Sequence, residues 1–169
     1  MGYLLYGVIG DAGVLAELRH PSMYPMHPLH CGLGLCLVRT EVVKDEPPAE
    51  IADALMYLTE PVAGYAETLS QRTPVIYVAA DFFGGIGEQA ACGWSGGRLD
   101  LGPLHSHHER PPCPARGFIR RPREPTGAID EALAWLGVQR PFRTDRFEAV
   151  GLSERHDWEH ERVEGGAAR

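Results

Sequence analysis

Two carboxylates, Asp81 and Glu88, stand on either side of a paired glycine in the stretch DFFGGIGE. A bend that brings two such groups together can divide general acid and general base work between them, or hold a cation. The simpler reading is that a polar group at a strand end caps the turn. Further on come His105, His107 and His108 in the run HSHH, with Cys113 beyond them. Imidazole and thiolate are zinc ligands, so this set offers a metal-assisted route to a hydrolase or isomerase. Its spacing matches no standard zinc finger, and Pro111, Pro112 and Pro114 give the region the character of an exposed arm.

Other groupings carry less. His27, His30 and Cys31 repeat the same ambiguity. His156 and His160 would share one helical face, but in HDWEH the glutamate precedes the second histidine, so HExxH chemistry is missing. Gly85, Gly87 and Ala90 fit a GxGxxA pattern after a strand. In a dinucleotide fold such glycines open a helix whose N-terminus grips a pyrophosphate. Here Gly93 and the triplet Ser95, Gly96, Gly97 leave no room for that helix. The glycines instead predict a hairpin or bulge needing positive φ angles. Arg116, Arg120, Arg121 and Arg123 could clamp phosphates, or fold back on acidic parts of the chain. No GxSxG elbow and no GxxxxGK[ST] loop is present.

The acids between residues 41 and 67 form a further candidate. Seven carboxylates there face one lysine, Lys44, which is the only lysine of the chain. Glu41, Asp45, Glu46, Glu50 and Asp53 would present a negative face to a basic partner, speeding encounter and fixing register.

The elements that must position these residues read as follows. Residues 2–9 alternate as a strand, and Asp11 caps a short helix with Val14, Leu15 and Leu18 on its inner face. Residues 21–29 carry three prolines and read as a loop. Residues 33–38 form a buried strand, and 41–48 a charged connection. A helix over 48–58 places Ile51, Leu55 and Leu58 on one side. It breaks at Pro61, and a second begins at Val62 with Tyr65, Ala66 and Leu69 inward. Residues 74–81 are the best strand of the chain. Residues 89–94 return beside it, and a turn at 95–97 leads to a short strand over 98–101. Residues 104–125, with five prolines and five arginines, read as a long loop of functional or disordered character. Thr126 caps a helix over 128–136 that Gly137 stops. Phe142 and residues 147–152 dock as a C-terminal element. The tryptophans at 94, 135 and 158 read as core or interface residues.

The chain of 169 residues, 44% hydrophobic and 23% charged, is long enough for one real core. No apolar run approaches the roughly 18 residues a membrane span needs. The start lacks the basic segment of an export signal, so a cytoplasmic protein is expected; arginine in place of lysine, with much Ala, Gly and Pro, points to a GC-rich bacterial genome. Four cysteines without a CxxC pair read as reduced packing residues. A net charge of -7 argues against general nucleic-acid binding.

The MGYLLYGVIG start, the strand running into FFGGIGEQAACGW, and the AIDEALAWLGV helix followed by FEAVGL resemble a group of small actinobacterial proteins. The resemblance spans most of the chain and implies one domain, but no catalytic residue. In general character the chain is also similar to toxin-neutralising immunity proteins.

The fold expected is α+β: one domain over 1–155, with a mixed or mostly antiparallel sheet flanked by three or four helices, and a polar tail over 156–169. The function expected is non-enzymatic, an immunity or inhibitor protein that neutralises a basic partner through its acidic face, without a cofactor. The alternative is a small hydrolase or isomerase using Asp81, Glu88 and the histidine run with zinc. A third possibility is a phosphate-ligand module built on the arginine stretch.

Overall fold

Six strands hydrogen-bond into one sheet, in the order β2-β3-β1-β4-β5-β6, in a computed structural model that describes residues 2–83, 86–108, 127–142 and 144–154. They are β1 (Gly2–Asp11), β2 (His27–Pro28), β3 (Leu33–Leu37), β4 (Val75–Phe83), β5 (Ile86–Ser95) and β6 (Arg98–His108). Every pairing is antiparallel. Strand β1 therefore lies inside the sheet, between β3 and β4, although it comes first in the chain.

Because strand side chains alternate, each strand feeds two cores. On one face Tyr6, Val8, Cys36, Tyr77, Cys92 and Trp94 pack beneath α1 (Ala12–Glu17), α2 (Thr40–Val43) and α3 (Glu60–Ser70). On the other, Leu5, Ile9, Ile76, Val78 and Ala91 pack against α4 (Ala128–Trp135) and the residues after α5 (Arg146–Ala149). The result is one α+β domain of three layers. Two-sided burial explains why β3, and β4 up to Ala80, read as unbroken apolar runs.

Local chemistry sets the boundaries. Asp11 caps α1 by accepting the Val14 amide at 3.0 Å. The β5–β6 hairpin turns on Gly96 and Gly97, both at positive φ (59° and 77°), which side chains resist. Ser70 ties that turn to α3: its carbonyl accepts from the Gly96 amide and its hydroxyl from the Gly97 amide, each at 2.9 Å.

Several expectations need correction. The helix expected over 48–58 is only a 3-10 turn, Ala52–Ala54. Leu55 and Leu58 are buried as foreseen, but on an irregular segment closed by the bridge Pro48↔Thr59. Pro61 does not break a helix; it sits in the first turn of α3, where its missing N–H costs nothing. The 21–29 loop contains the two-residue strand β2, and the 41–48 connection begins inside α2. The α+β class and the antiparallel sheet are as expected; five α-helices are present among the described residues, two of them, α2 and α5, only four residues long. The strand expected over 98–101 runs on to His108 as the outer strand of the sheet, with Pro103 inside it. Phe142 is 96% exposed, whereas Val150 and Leu152 are buried as expected. Trp94 is buried, Trp135 half-buried, and Trp158 lies outside the described residues. The 156–169 tail also lies outside them.

The core holds two neutral thiols. Burial pushes Cys36 up to about 11, against a hydrogen bond from Tyr65, and Cys92 up to about 12, against a backbone hydrogen bond. Both values are raised by folding, so their stabilising effect is complete below the ordinary thiol range near 8.5. It is lost as pH climbs from about 9 toward the folded values of about 11 and 12. Urea midpoints measured from pH 8 to 11 are expected to fall, by on the order of 2 kcal/mol per thiol. A Cys36→Ala, Cys92→Ala variant should show a shallower decline; an unchanged slope would contradict the assignment.

Candidate functional site

Where β4 ends, β5 begins and β6 ends, side chains of one face meet in a cavity of about 390 Å³. The register explains who is there. Asp81 lies opposite Glu88, and Glu88 opposite His107, so three chemically active side chains form one row across three strands. The next row runs Tyr6, Ala79, Ala90, His105. Alanine at the two middle positions leaves a floor between two rings, and that is where the cavity lies. Met56, from the irregular segment after the 3-10 turn, closes one side, and Phe83 and Ile86 stand at the mouth.

Glu88 is the hub. Its Oε1 lies 3.3 Å from His107 Nδ1, and its Oε2 3.6 Å from His105 Nε2. The Glu88 side chain is 61% exposed and the imidazoles 44–45%, so water screens these pairs strongly. Among the described residues no hydrogen bond or ion pair reaches the Asp81 carboxylate. Two carboxylates directly across a strand pair repel each other. No lysine, arginine, serine, threonine or cysteine lines the cavity among the described residues.

The remaining residues of this region point the other way. His108 stacks obliquely on Phe82, with ring centroids 5.6 Å apart, on the opposite face of the sheet. Ser106 Oγ accepts the Ala128 amide at 2.9 Å, and Gln89 Oε1 accepts the Ile129 amide at 3.4 Å. These two side chains supply the N-terminal hydrogen bonds of α4, whose N-cap is Gly127. The cap expected of Thr126 falls on a residue outside the described ones. The glycine fits because a Cβ there would run into the Gln89 side chain. Successive residues of β5 and β6 thus build the cleft on one face and hold α4 on the other.

The acidic candidates are dispersed. Glu41 lies in α2, Asp53 in the 3-10 turn, and Asp45, Glu46 and Glu50 in the chain between. They do not share a helical face. Glu41 accepts from Tyr24 at 3.0 Å and from Arg39 at 3.1 Å. Partial burial raises its carboxyl, but its own backbone N–H, Tyr24 and Arg39 outweigh that and hold it below the usual range. Glu46 accepts from Thr59 at 2.8 Å and Ser22 at 3.3 Å, bracing the segment from within. Asp45, Glu50 and Asp53 are exposed.

Asp81, Glu88, His105 and His107 are therefore brought together, while His108 is turned away. No group of three or more His, Cys, Asp or Glu side chains among the described residues is placed to hold a metal ion. His30 pairs with Glu154 at 3.5 Å, away from the cleft. Cys113, His156, His160, Glu159 and the arginines at 116, 120, 121 and 123 lie outside the described residues.

Sequence reasoning missed Tyr6, Met56, Phe83 and Ile86 as cleft residues. For Phe83 a signal existed: it shares strand parity with Asp81 and lies beyond the last buried residue. For Met56 none did, because its place depends on the failure of the 48–58 helix. Among the described residues no helix is long and apolar enough to cross a membrane. No protein-family model matches the chain, and neither a curated protein nor a solved structure proves similar to it.

Proposed function

We propose that the chain is a non-enzymatic binding protein of the immunity or inhibitor kind, and that the cleft receives a basic feature of a protein partner. One observation carries this reading: Asp81 and Glu88 face each other within a ring of exposed apolar side chains. Phe83 is 79% exposed, Ile86 52% and Met56 48%. Large apolar groups around a charged centre are the composition of an interface hot spot. A cation from the partner would relieve the Asp81–Glu88 repulsion, which no described residue of the cavity wall neutralises beyond the two histidines. Asp53, Glu50 and Asp45 come just before Met56 in the chain and extend the negative field that steers a basic partner.

Affinity capture from native lysate tests this with wild-type protein and a Phe83→Ser, Glu88→Lys variant. Both substitutions are at exposed positions, so melting temperatures should agree. A stoichiometric basic protein is expected on the first and absent from the second. The same proteins on both would count against the cleft.

A second reading has a specific observation in its favour. Glu88 within 3.6 Å of two imidazoles is a three-group cluster able to relay a proton, as an acid–base hydrolase or isomerase requires. Its exposure and the lack, among the described residues, of a hydroxyl or thiol nucleophile besides the Tyr6 phenol weigh against it. Turnover that Glu88→Gln abolishes, without a captured partner, would favour this reading.

A further inference from the structure

A binding role for the cleft does not by itself fix which chemical group enters it, and the assignment of that group rests on the binding role. We infer that the group is an arginine guanidinium, laid over Ala79 and Ala90 and held by Asp81 and Glu88, and that His105 and His107 release it on acidification.

The shape of the site selects the group. Tyr6 and His105 close the two ends of a row whose middle members are alanines, so the free space is a slot between two rings. A guanidinium is flat, stacks on aromatic faces and pairs with carboxylates through two parallel N–H donors. An ammonium is a strongly hydrated point charge and gains less from such walls. The carboxylates stand one row further toward the mouth, on adjacent strands, where the donors of an entering side chain pass between them. Met56, Phe83 and Ile86 cover the methylene stem.

The arrangement of charge selects the response to pH. Among the described residues the titratable groups around the slot are Tyr6 from β1, Asp81 from β4, Glu88 from β5, and His105 and His107 from β6; the segment carrying Met56 adds none. Histidine is the side chain whose charge changes between about pH 5 and 8. With neutral imidazoles the wall carries two negative charges and welcomes a cation. With charged imidazoles, Glu88 is engaged from both sides at 3.3 and 3.6 Å, and two positive charges face the guanidinium. The cleft then repels what it held.

The test uses the full chain, 15N-labelled, titrated with N-acetyl-arginine amide and with the citrulline analogue, its uncharged near-isostere. At pH 7.5 saturable shifts are expected at the amides of Ala79, Ala90 and His105, with the citrulline analogue at least tenfold weaker. At pH 5.5 the arginine probe should weaken at least tenfold. A His105→Gln, His107→Gln variant should bind alike at both values, and Glu88→Gln should lose binding at both. Equal binding of the two probes would overturn the guanidinium assignment. A pH response that survives in the double histidine variant would overturn the release mechanism. A partner captured through the cleft while the arginine probe leaves the spectra unchanged defeats this inference and spares the broader reading. Absence of both defeats the two together.

Discussion

Replacing Tyr77 with alanine is expected to cost about 3–5 kcal/mol of stability, the range for emptying a large aromatic site in a packed core. Tyr77 is fully buried in β4, flanked in register by Val8 and Cys92. Its hydroxyl donates to the Met56 carbonyl at 2.6 Å. That bond anchors an irregular segment with little helical hydrogen bonding of its own, and the Met56 side chain walls the cleft. Burial holds the phenol proton firmly, with Cys92, Tyr6 and Tyr57 adding to the effect. The alanine variant should therefore disturb the cleft wall, and with it the proposed partner binding, as well as lose stability. Tyr77→Phe keeps the ring and orphans one carbonyl, so about 1–3 kcal/mol is expected. Equilibrium urea unfolding measures both. A cost under about 1 kcal/mol for the alanine variant would mean that this layer is not close-packed.

Asp130→Ala is the second large effect, expected at about 3–5 kcal/mol, because it strands a partly buried guanidinium. The Asp130 side chain is 7% exposed and that of Arg146 20%. One carboxylate oxygen accepts the Arg146 amide at 2.7 Å, and the other accepts Nη1 at 2.9 Å. Arg146 Nε donates to the Val138 carbonyl at 2.8 Å, so three segments meet at this pair. Removing Asp130 leaves the backbone amide that opens α5 without its acceptor. A double variant, Asp130→Ala with Arg146→Met, should recover part of the loss, since apolar packing often replaces a buried ion pair without penalty. Unfolding curves for the two single variants and the double variant complete the cycle. A single-variant cost within about 0.5 kcal/mol of zero would place the pair with screened surface bridges instead.

The central sheet was legible because burial on two faces leaves its mark on composition. Residues 74–81 could be nothing but an inner strand, and the paired glycine at 96 and 97 announced its hairpin. The extended conformation of Ile86–Ser95 likewise follows from small residues packed under helices, and it removes the dinucleotide reading of GxGxxA. The 48–58 segment was not legible. Its apolar spacing suits a helix, yet Pro47 and Pro48 and the bridge to Thr59 hold it open, and tertiary burial of Leu55 and Leu58 replaces helical bonds. The histidine run failed for a different reason. A strand with Gly102 and Pro103 at its middle loses the local signals of a strand, and only its pairing with β5 keeps it extended. Once paired, a period of two decides everything: His105 and His107 join Glu88, while Ser106 and His108 serve the opposite layer. The row linking Asp81, Glu88 and His107 is a matter of register, which no local pattern reveals.

Among the described residues β6 hydrogen-bonds only to β5 along the sheet, so its far side is a comb of backbone groups. Such a border recruits stray strands and seeds fibrils when it is long and uninterrupted. Pro103 removes one tooth from the comb, since its ring nitrogen has no hydrogen to offer a newcomer. The protein thereby keeps a long outer strand, rich in histidine, without offering neighbouring copies an unbroken template for growth.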